Sequence, residues 1–193
     1  MAVSLLGDPS FDFWVGNIFS LLAWARMADE EKIMELKYRL LQESHADLLV
    51  SIWGDTDVIQ FTNIKQPLAL DEIRERIEVL KVFDVFVVYD RAGAVGILGF
   101  PCFDKEKSQY GLFYQFCKSS WGKGYATQAV KWALDYMRER YPRATILAEV
   151  VVDNVASEKI LRHSGFEFDG EEDGFERNGV EMKVHQYRLN FYQ

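Results

Sequence analysis

Ala126, Ala129, Val130, Ala133, Leu134 and Met137 recur at helical spacing, while Thr127, Gln128, Lys131, Asp135, Arg138 and Glu139 take the opposite face. That pattern predicts an amphipathic helix with one side packed on a sheet. Tyr141-Pro142 ends it, since proline disfavours helix in the residue before it. Upstream, Ser108 to Cys117 (SQYGLFYQFC) is rich in aromatics and runs into the polar Lys118-Ser119-Ser120, the composition of one strand followed by a turn. Downstream, Thr145 to Val152 (TILAEVVV) is a strand candidate rich in β-branched residues. Strand, turn, helix, strand predicts a right-handed crossover that places the two strands parallel in one sheet.

Elsewhere the pattern alternates between the two periods. Ile33 to Leu41 predicts a strand, Ser44 the cap of a helix reaching about Trp53, and Asp71 to Lys81 a second helix with Ile73, Ile77 and Leu80 on one side. Val85 to Tyr89 and Val95 to Phe103 predict a hairpin about Arg91-Ala92-Gly93. Val155 to Ser164 predicts a short helix that stops at Gly165, a residue suited to the left-handed cap, with Phe166-Glu167-Phe168 opening another strand. Val184 to Leu189 is the last predicted strand. Asp169, Glu171, Glu172, Asp173 and Glu176 gather around Gly170 and Gly174, which predicts an acidic hairpin loop. Such a run is either a solvated loop or a mouth that attracts a protonated amine. The chain has no internal repeat, low-complexity tract or proline-rich linker.

Chemistry enters at Trp121-Gly122-Lys123-Gly124-Tyr125-Ala126, the junction between the aromatic strand and the long helix. Glycines at a helix start leave backbone N–H groups unobstructed and aimed outward with the positive end of the helix dipole, a place that holds an anion such as a phosphate. A plain strand-to-helix turn has the same glycines, so this motif alone leaves both readings open. Asn154 and Ser157 stand one helical turn apart at the start of the short helix and can face one ligand. Each also suits a simple capping role.

Composition narrows the class. With 193 residues, 49% hydrophobic and 15% aromatic, the chain can bury a sizeable core without staples. Cys102 and Cys117 lie in apolar strand contexts without metal-ligand partners nearby, which predicts reduced thiols, no metal and a cytoplasmic location. A catalytic thiol at Cys117 lacks an adjoining histidine. The formal charge of −8 argues against nucleic acid, whose phosphates need clustered Lys and Arg, and favours cationic partners. Phe13 to Ala25 is uncharged but too short to span a bilayer, and Asp8 and Asp12 stand where a secretory signal carries positive charge. Ala23-Trp24-Ala25 mimics a cleavage site. Residues 1–30 predict an amphipathic helical extension, not a membrane partner, that docks on the domain or on a second subunit as a homodimer; residues 31–193 predict one domain.

Together these motifs resemble the GNAT superfamily of acetyl-CoA-dependent N-acetyltransferases, and most closely its ribosomal-protein-alanine (Rim-type) branch. That branch shows a strand with a Gly-Tyr pair, then Trp-Gly-Lys-Gly-Tyr-Ala-Thr, then Asn-x-x-Ser ending in Gly-Phe. The counterparts are Tyr114, Trp121 to Thr127, Asn154 with Ser157, and Gly165-Phe166, and the likeness runs from about Lys32 to Asn190. It implies an α+β, three-layer GNAT-like fold: a mixed, mostly antiparallel central sheet splayed beside the cofactor site, with helices on both faces. It also implies an acyltransferase that moves an acetyl group from acetyl-CoA directly to an amine, either a protein N-terminal amine or a small molecule. A non-catalytic acyl-CoA-binding module is the alternative.

The resemblance carries roles to particular positions. Backbone at Phe116, Cys117 and Lys118 would pair with the pantetheine arm. The turn from Trp121 through Gly122, Lys123, Gly124, Tyr125 and Ala126 would hold the pyrophosphate, with Lys123 either a point charge or merely solvated. Asn154 and Ser157 would touch the cofactor, Ser157 where the family often presents a hydroxyl near the CoA sulfur. Two positions depart from the pattern: Leu161 stands where many relatives carry tyrosine, and Gly111 where Rim-type strands carry glutamate. Glu149 is the substitute general base, with a salt bridge as its structural alternative.

Overall fold

Proline at 101 and the turn of the chain at Leu112 divide what the sequence pattern presents as two long strands. A computed structural model describes residues 35–106 and 108–192 of the protein. The extension expected over residues 1–30 lies outside them. Strands β1 (Lys37–Leu40), β2 (Asp84–Tyr89), β3 (Ala94–Phe100) and β6 (Phe113–Phe116) form an antiparallel sheet in the order β1-β2-β3-β6. The second sheet joins β4 (Cys102–Asp104), β5 (Gln109–Gly111), β7 (Thr145–Val151), β9 (Val180–Asn190) and β8 (Glu167–Arg177), in the order β4-β5-β7-β9-β8. Only β5 and β7 run parallel, across the expected crossover.

The expected strand from Val95 to Phe103 breaks at Pro101, which has no N–H to give a continuing ladder. The expected strand from Ser108 to Cys117 likewise becomes two. β5 pairs with β7, β6 pairs with β3, and Leu112 N–H to the Leu147 carbonyl at 2.8 Å is the last tie between the halves. Gly111 ends β5 under two rings: a Cβ there would come within 2.8 Å of the Phe103 ring and 2.9 Å of the Pro101 ring. A glutamate at this position would require the Phe103 and Pro101 rings to shift.

Helices cover both faces of the first sheet. α1 (Ala46–Trp53), α2 (Thr56–Ile59) and α3 (Leu70–Leu80) bury Leu49, Ile52, Val58, Ile59, Ile73 and Ile77 with Val85, Val87 and Ile97. α4 (Tyr125–Arg140) packs on the other face, where Trp132 and Tyr136 meet the ring of Phe86 edge-on at 5.0 Å. Ser44 is not the cap of α1. It lies inside a 3₁₀ turn, Glu43–His45, after which α1 begins at Ala46. The one-turn α2 was not legible in the periodicity; Asp55 caps it, its Oδ1 accepting from Asp57 N–H at 2.9 Å.

The acidic run is not a loop. β8 carries it as strand from Glu167 to Arg177, and the reversal falls at Asn178-Gly179, with φ of 51° and 78°. Positive φ at both residues is what a two-residue hairpin turn requires. Gly170 and Gly174 instead sit where the β8–β9 register shifts, so these glycines mark bulges. No described helix is long and apolar enough to cross a membrane.

Candidate active site

The divergence of β6 from β7 exposes two strand edges. Cys117 N–H donates to the Val95 carbonyl at 3.0 Å, so Gln115 and Phe113, in the same phase, also bond β3, while Tyr114 and Phe116 turn their backbone groups away from it. On β7, Val152 N–H donates to the Lys183 carbonyl at 3.1 Å and the Leu147 carbonyl serves β5's side. By the same alternation Glu149 and Val151 present their backbone toward β6. A cleft of about 910 Å³ opens between these edges.

The glycine turn closes one part of it. Gly122 and Gly124 have φ of 72° and 79°, and a Cβ added to either would meet nothing within 4 Å, so their amides border open space. The N–H groups of Gly122, Lys123, Gly124 and Ala126 have no acceptor among the described residues. Tyr125, the first residue of α4, is held by its hydroxyl, which donates to Asp90 Oδ2 at 2.6 Å. Asp90 also accepts from the amides of Ala92 and Gly93 at 2.8 and 3.0 Å. The Tyr125 hydroxyl above all holds its carboxyl below the usual range. Trp121 Nε1 donates to the Phe116 carbonyl at 3.0 Å and so fixes the end of β6 against the turn. Lys123 lies outside the cleft lining, its ammonium 5.9 Å from the centre of the Tyr125 ring.

α5 (Val155–His163) brings Asn154 and Ser157 to the same cleft. Asn154 caps the helix, its Oδ1 accepting from Ser157 N–H at 3.2 Å. The Ser157 hydroxyl has no partner among the described residues, which leaves it available to a ligand. Tyr114 crosses from β6 and points its hydroxyl at the Ser157 carbonyl, 3.5 Å away; burial pushes its pKa up, so it stays a protonated donor. Leu161 is buried beneath and lines the cleft with its side chain.

Glu149 is exposed on β7 and lines the cleft. It forms no salt bridge among the described residues. The opposite walls come from Phe61, Thr62 and Asn63 after α2 and from Glu172, Asp173 and Phe175 on β8. Asp153 adds another carboxylate, whereas no Lys or Arg lines the cleft among the described residues. Sequence patterning missed the contribution of Phe61 to Asn63, since nothing local marks a short turn as a site wall. The strand course of Glu172 and Asp173 did have a signal, the Asn178-Gly179 pair.

Two of the residues expected at the cofactor edge are elsewhere. Phe116 lines the cleft, but Cys117 and Lys118 border a separate surface hollow with Asp47, Ser51 and Asp55. The Cys117 amide is already spent on Val95, and burial pushes its thiol up, which makes it a poor nucleophile. The Lys118 ammonium pairs with Asp57. The physical reason is the pleat: Cys117 has the β3-bonded phase, while its neighbour Phe116 has the phase that faces the cleft. No group of three or more His, Cys, Asp or Glu residues is placed to hold a metal among the described residues.

A mixed sheet that parts between two strands, with a glycine-opened helix start beside the gap, defines the acetyltransferase class of fold. Residues 35–167 match the acetyltransferase (GNAT) domain, and the chain belongs to that family of acyltransferases. An uncharacterized N-acetyltransferase, p20, of Bacillus licheniformis is 26% identical over 143 residues, covering 70% of this chain and 80% of that protein. Among solved structures, a RimL ribosomal alpha-N-protein acetyltransferase in complex with coenzyme A superposes with a TM-score of 0.72 at 19% identity, over 80% of this chain and 93% of that one. A spermidine N-acetyltransferase SpeG chimera from Vibrio cholerae and hSSAT superposes with a TM-score of 0.71 at 20% identity, over 81% and 95%.

Proposed function

We propose that this N-acetyltransferase takes acetyl-CoA as its donor and transfers the acetyl group directly to a cationic amine held in the same cleft. The observation that carries the reading is the set of amides at Gly122, Gly124 and Ala126, which line the cleft without an acceptor among the described residues, where a Cβ at 122 or 124 would meet nothing within 4 Å. Such amides at a helix start suit a diphosphate, and the edge formed by Tyr114 and the Phe116 N–H, which bond no neighbouring strand, suits the amides of a pantetheine arm. Asn154 holds the start of α5 so that Ser157 faces the same ligand.

Acetyl-CoA supplies an acetyl group activated as a thioester. The Phe116 amide is the fixed dipole for the negative charge that grows on the carbonyl oxygen. Glu149 removes the proton of the bound ammonium, directly or through one water, so that a neutral amine attacks. Ser157 gives a hydrogen bond or proton to the departing sulfur, a role for which Leu161 has no group to offer. Rate comes chiefly from holding donor and amine together.

For the acceptor, Glu149, Asp153 and Glu172, in a cleft lined by no described Lys or Arg, favour a positively charged amine. RimL and SpeG act on different amines with nearly the same fold likeness, so the acceptor follows from these carboxylates and not from the fold. A Rim-type protein N-terminus and a small polyamine are both carried as acceptors to the assay. Two free cysteines accord with a cytoplasmic enzyme. A homodimer through residues 1–30 completes the proposal; a monomeric mass with and without residues 1–28 would remove it. Calorimetry tests the core of the reading: acetyl-CoA should bind, and absence of binding overturns it. CoA release across an amine panel then identifies the acceptor.

A further inference from the structure

The turn that follows α2 and the tip of the β8–β9 hairpin lie more than a hundred residues apart in sequence, yet one side chain joins them. Arg177, the last residue of β8, donates through Nη2 to the carbonyls of Ile59, Thr62 and Ile64 at 2.8, 2.7 and 2.6 Å. Two N–H bonds are thus shared among three acceptors. Its Nε is buried without a hydrogen-bond partner among the described residues. No carboxylate pairs with Arg177 among those residues either; peptide carbonyls and the Phe175 ring face its charge there.

The turn is shaped to receive it. Thr62 closes it by donating both N–H and Oγ1 to the Ile59 carbonyl at 2.9 Å, and Ile64 N–H donates to Thr62 Oγ1 at 3.1 Å. Ile59 and Ile64 are buried in the core and anchor its two ends. The carbonyls therefore converge on the guanidinium while Phe61, Thr62 and Asn63 line the cleft. Across from them, Glu172, Asp173 and Phe175 line it from the strand that ends in Arg177, whose guanidinium carbon lies 5.8 Å from the Phe175 ring centre. Leu112 ties the two halves at the apex of the split, and Arg177 ties them again at the far wall.

We infer that Arg177 is a positioning residue for the amine acceptor: it clasps the 59–64 turn to the hairpin and holds the wall against which the acceptor is presented. This rests on the acetyl-transfer reading above. Lysine is not equivalent here: its ammonium stops one bond short of Nη2, the atom from which all three bonds are made. The glycine turn and α5 make no hydrogen bond to Arg177, so donor binding should be independent of it.

Full-length Arg177→Lys and Arg177→Gln proteins test this with three readouts: acetyl-CoA affinity by calorimetry, amide exchange of residues 60–64, and acetyl transfer to spermidine and to a serine-initiated hexapeptide. Arg177→Gln should raise the acceptor KM about tenfold with kcat and acetyl-CoA Kd within about twofold, and Arg177→Lys should fall between it and the parent. Exchange at 60–64 should quicken in both. Unchanged exchange, an unchanged acceptor KM, or acetyl-CoA affinity falling in step with acceptor KM overturns the inference, the last by making Arg177 a general structural tie. If the parent protein acetylates neither probe, exchange and acetyl-CoA affinity decide: faster exchange at unchanged affinity upholds the clasp, and any other result sinks it. Failure of the parent to bind acetyl-CoA defeats the transfer reading instead, while exchange still reports whether the clasp exists.

Discussion

The wall around Gly122 and Gly124 and the wall around Phe61, Glu172 and Phe175 face the same cleft but are made of different material. The first is mainly backbone: amides at a helix start and the outer edge of β6, held in place by side chains such as Asp90 and Trp121. The second is side chain: rings and carboxylates from two segments far apart in sequence, held by one guanidinium. Backbone amides have no identity to mutate, so the first wall suits a constant donor and is damaged by adding atoms. The second is damaged by removing them, and its chemistry is free to vary with the acceptor.

The contrast can be broken by substitutions of opposite kinds. Glu149→Gln, which deletes only the carboxylate charge, should lower kcat/KM by about a hundredfold or more with acetyl-CoA affinity kept, as loss of a general base does. Steady-state kinetics beside calorimetry would show it; a variant of undiminished activity leaves Glu149 without that role. Gly124→Val adds atoms to the amide wall at a φ of 79°. It should weaken acetyl-CoA binding by about fiftyfold, roughly 2.4 kcal/mol. Ser157→Ala should reduce kcat about tenfold while acetyl-CoA Kd stays within about twofold.

Two smaller effects concern what holds the walls. Gly111→Glu restores the residue common in Rim-type strands, but its Cβ would meet Phe103 at 2.8 Å and Pro101 at 2.9 Å. Overpacking of about 2 kcal/mol should drop Tm by roughly 4–8 °C, seen by calorimetric melting, with no gain in activity. Asp90→Asn weakens the anchor of Tyr125 and should lower Tm by about 2 °C near neutrality. Asp90 has a folded pKa below its ordinary 3.8, chiefly because Tyr125 donates to it. Its stabilisation is therefore complete above 3.8 and lost as pH falls further through the folded value, so the variant should show a shallower acid loss there.

The periodic elements were legible because each rests on neighbours in sequence. α4 carries its apolar stripe and its stop at Pro142, and α5 its Asn154 cap and Gly165 end, where φ reaches 90°. Asn154, Ser157 and the glycine turn were legible for the same reason, since all are helix-start chemistry written locally. In the aromatic strand the pattern misled because of a long-range pairing. The single aromatic strand from Ser108 to Cys117 looks continuous, yet its halves satisfy partners in different sheets. A one-residue change of pleat phase sends the Cys117 amide to β3 and leaves Phe116 at the cleft.

What the sequence by itself determined is therefore the crossover, the glycine-opened helix and the family resemblance, because period, capping and turn chemistry act over a few residues. Only the tertiary structure decided where β6 leaves β7, that Gly111 lies against the Phe103 and Pro101 rings, and that Phe61, Glu149 and Glu172 share one cleft. Those outcomes depend on hydrogen bonds and packing between segments distant in the chain, such as Leu112 to Leu147 and Arg177 to Thr62, which no local pattern encodes.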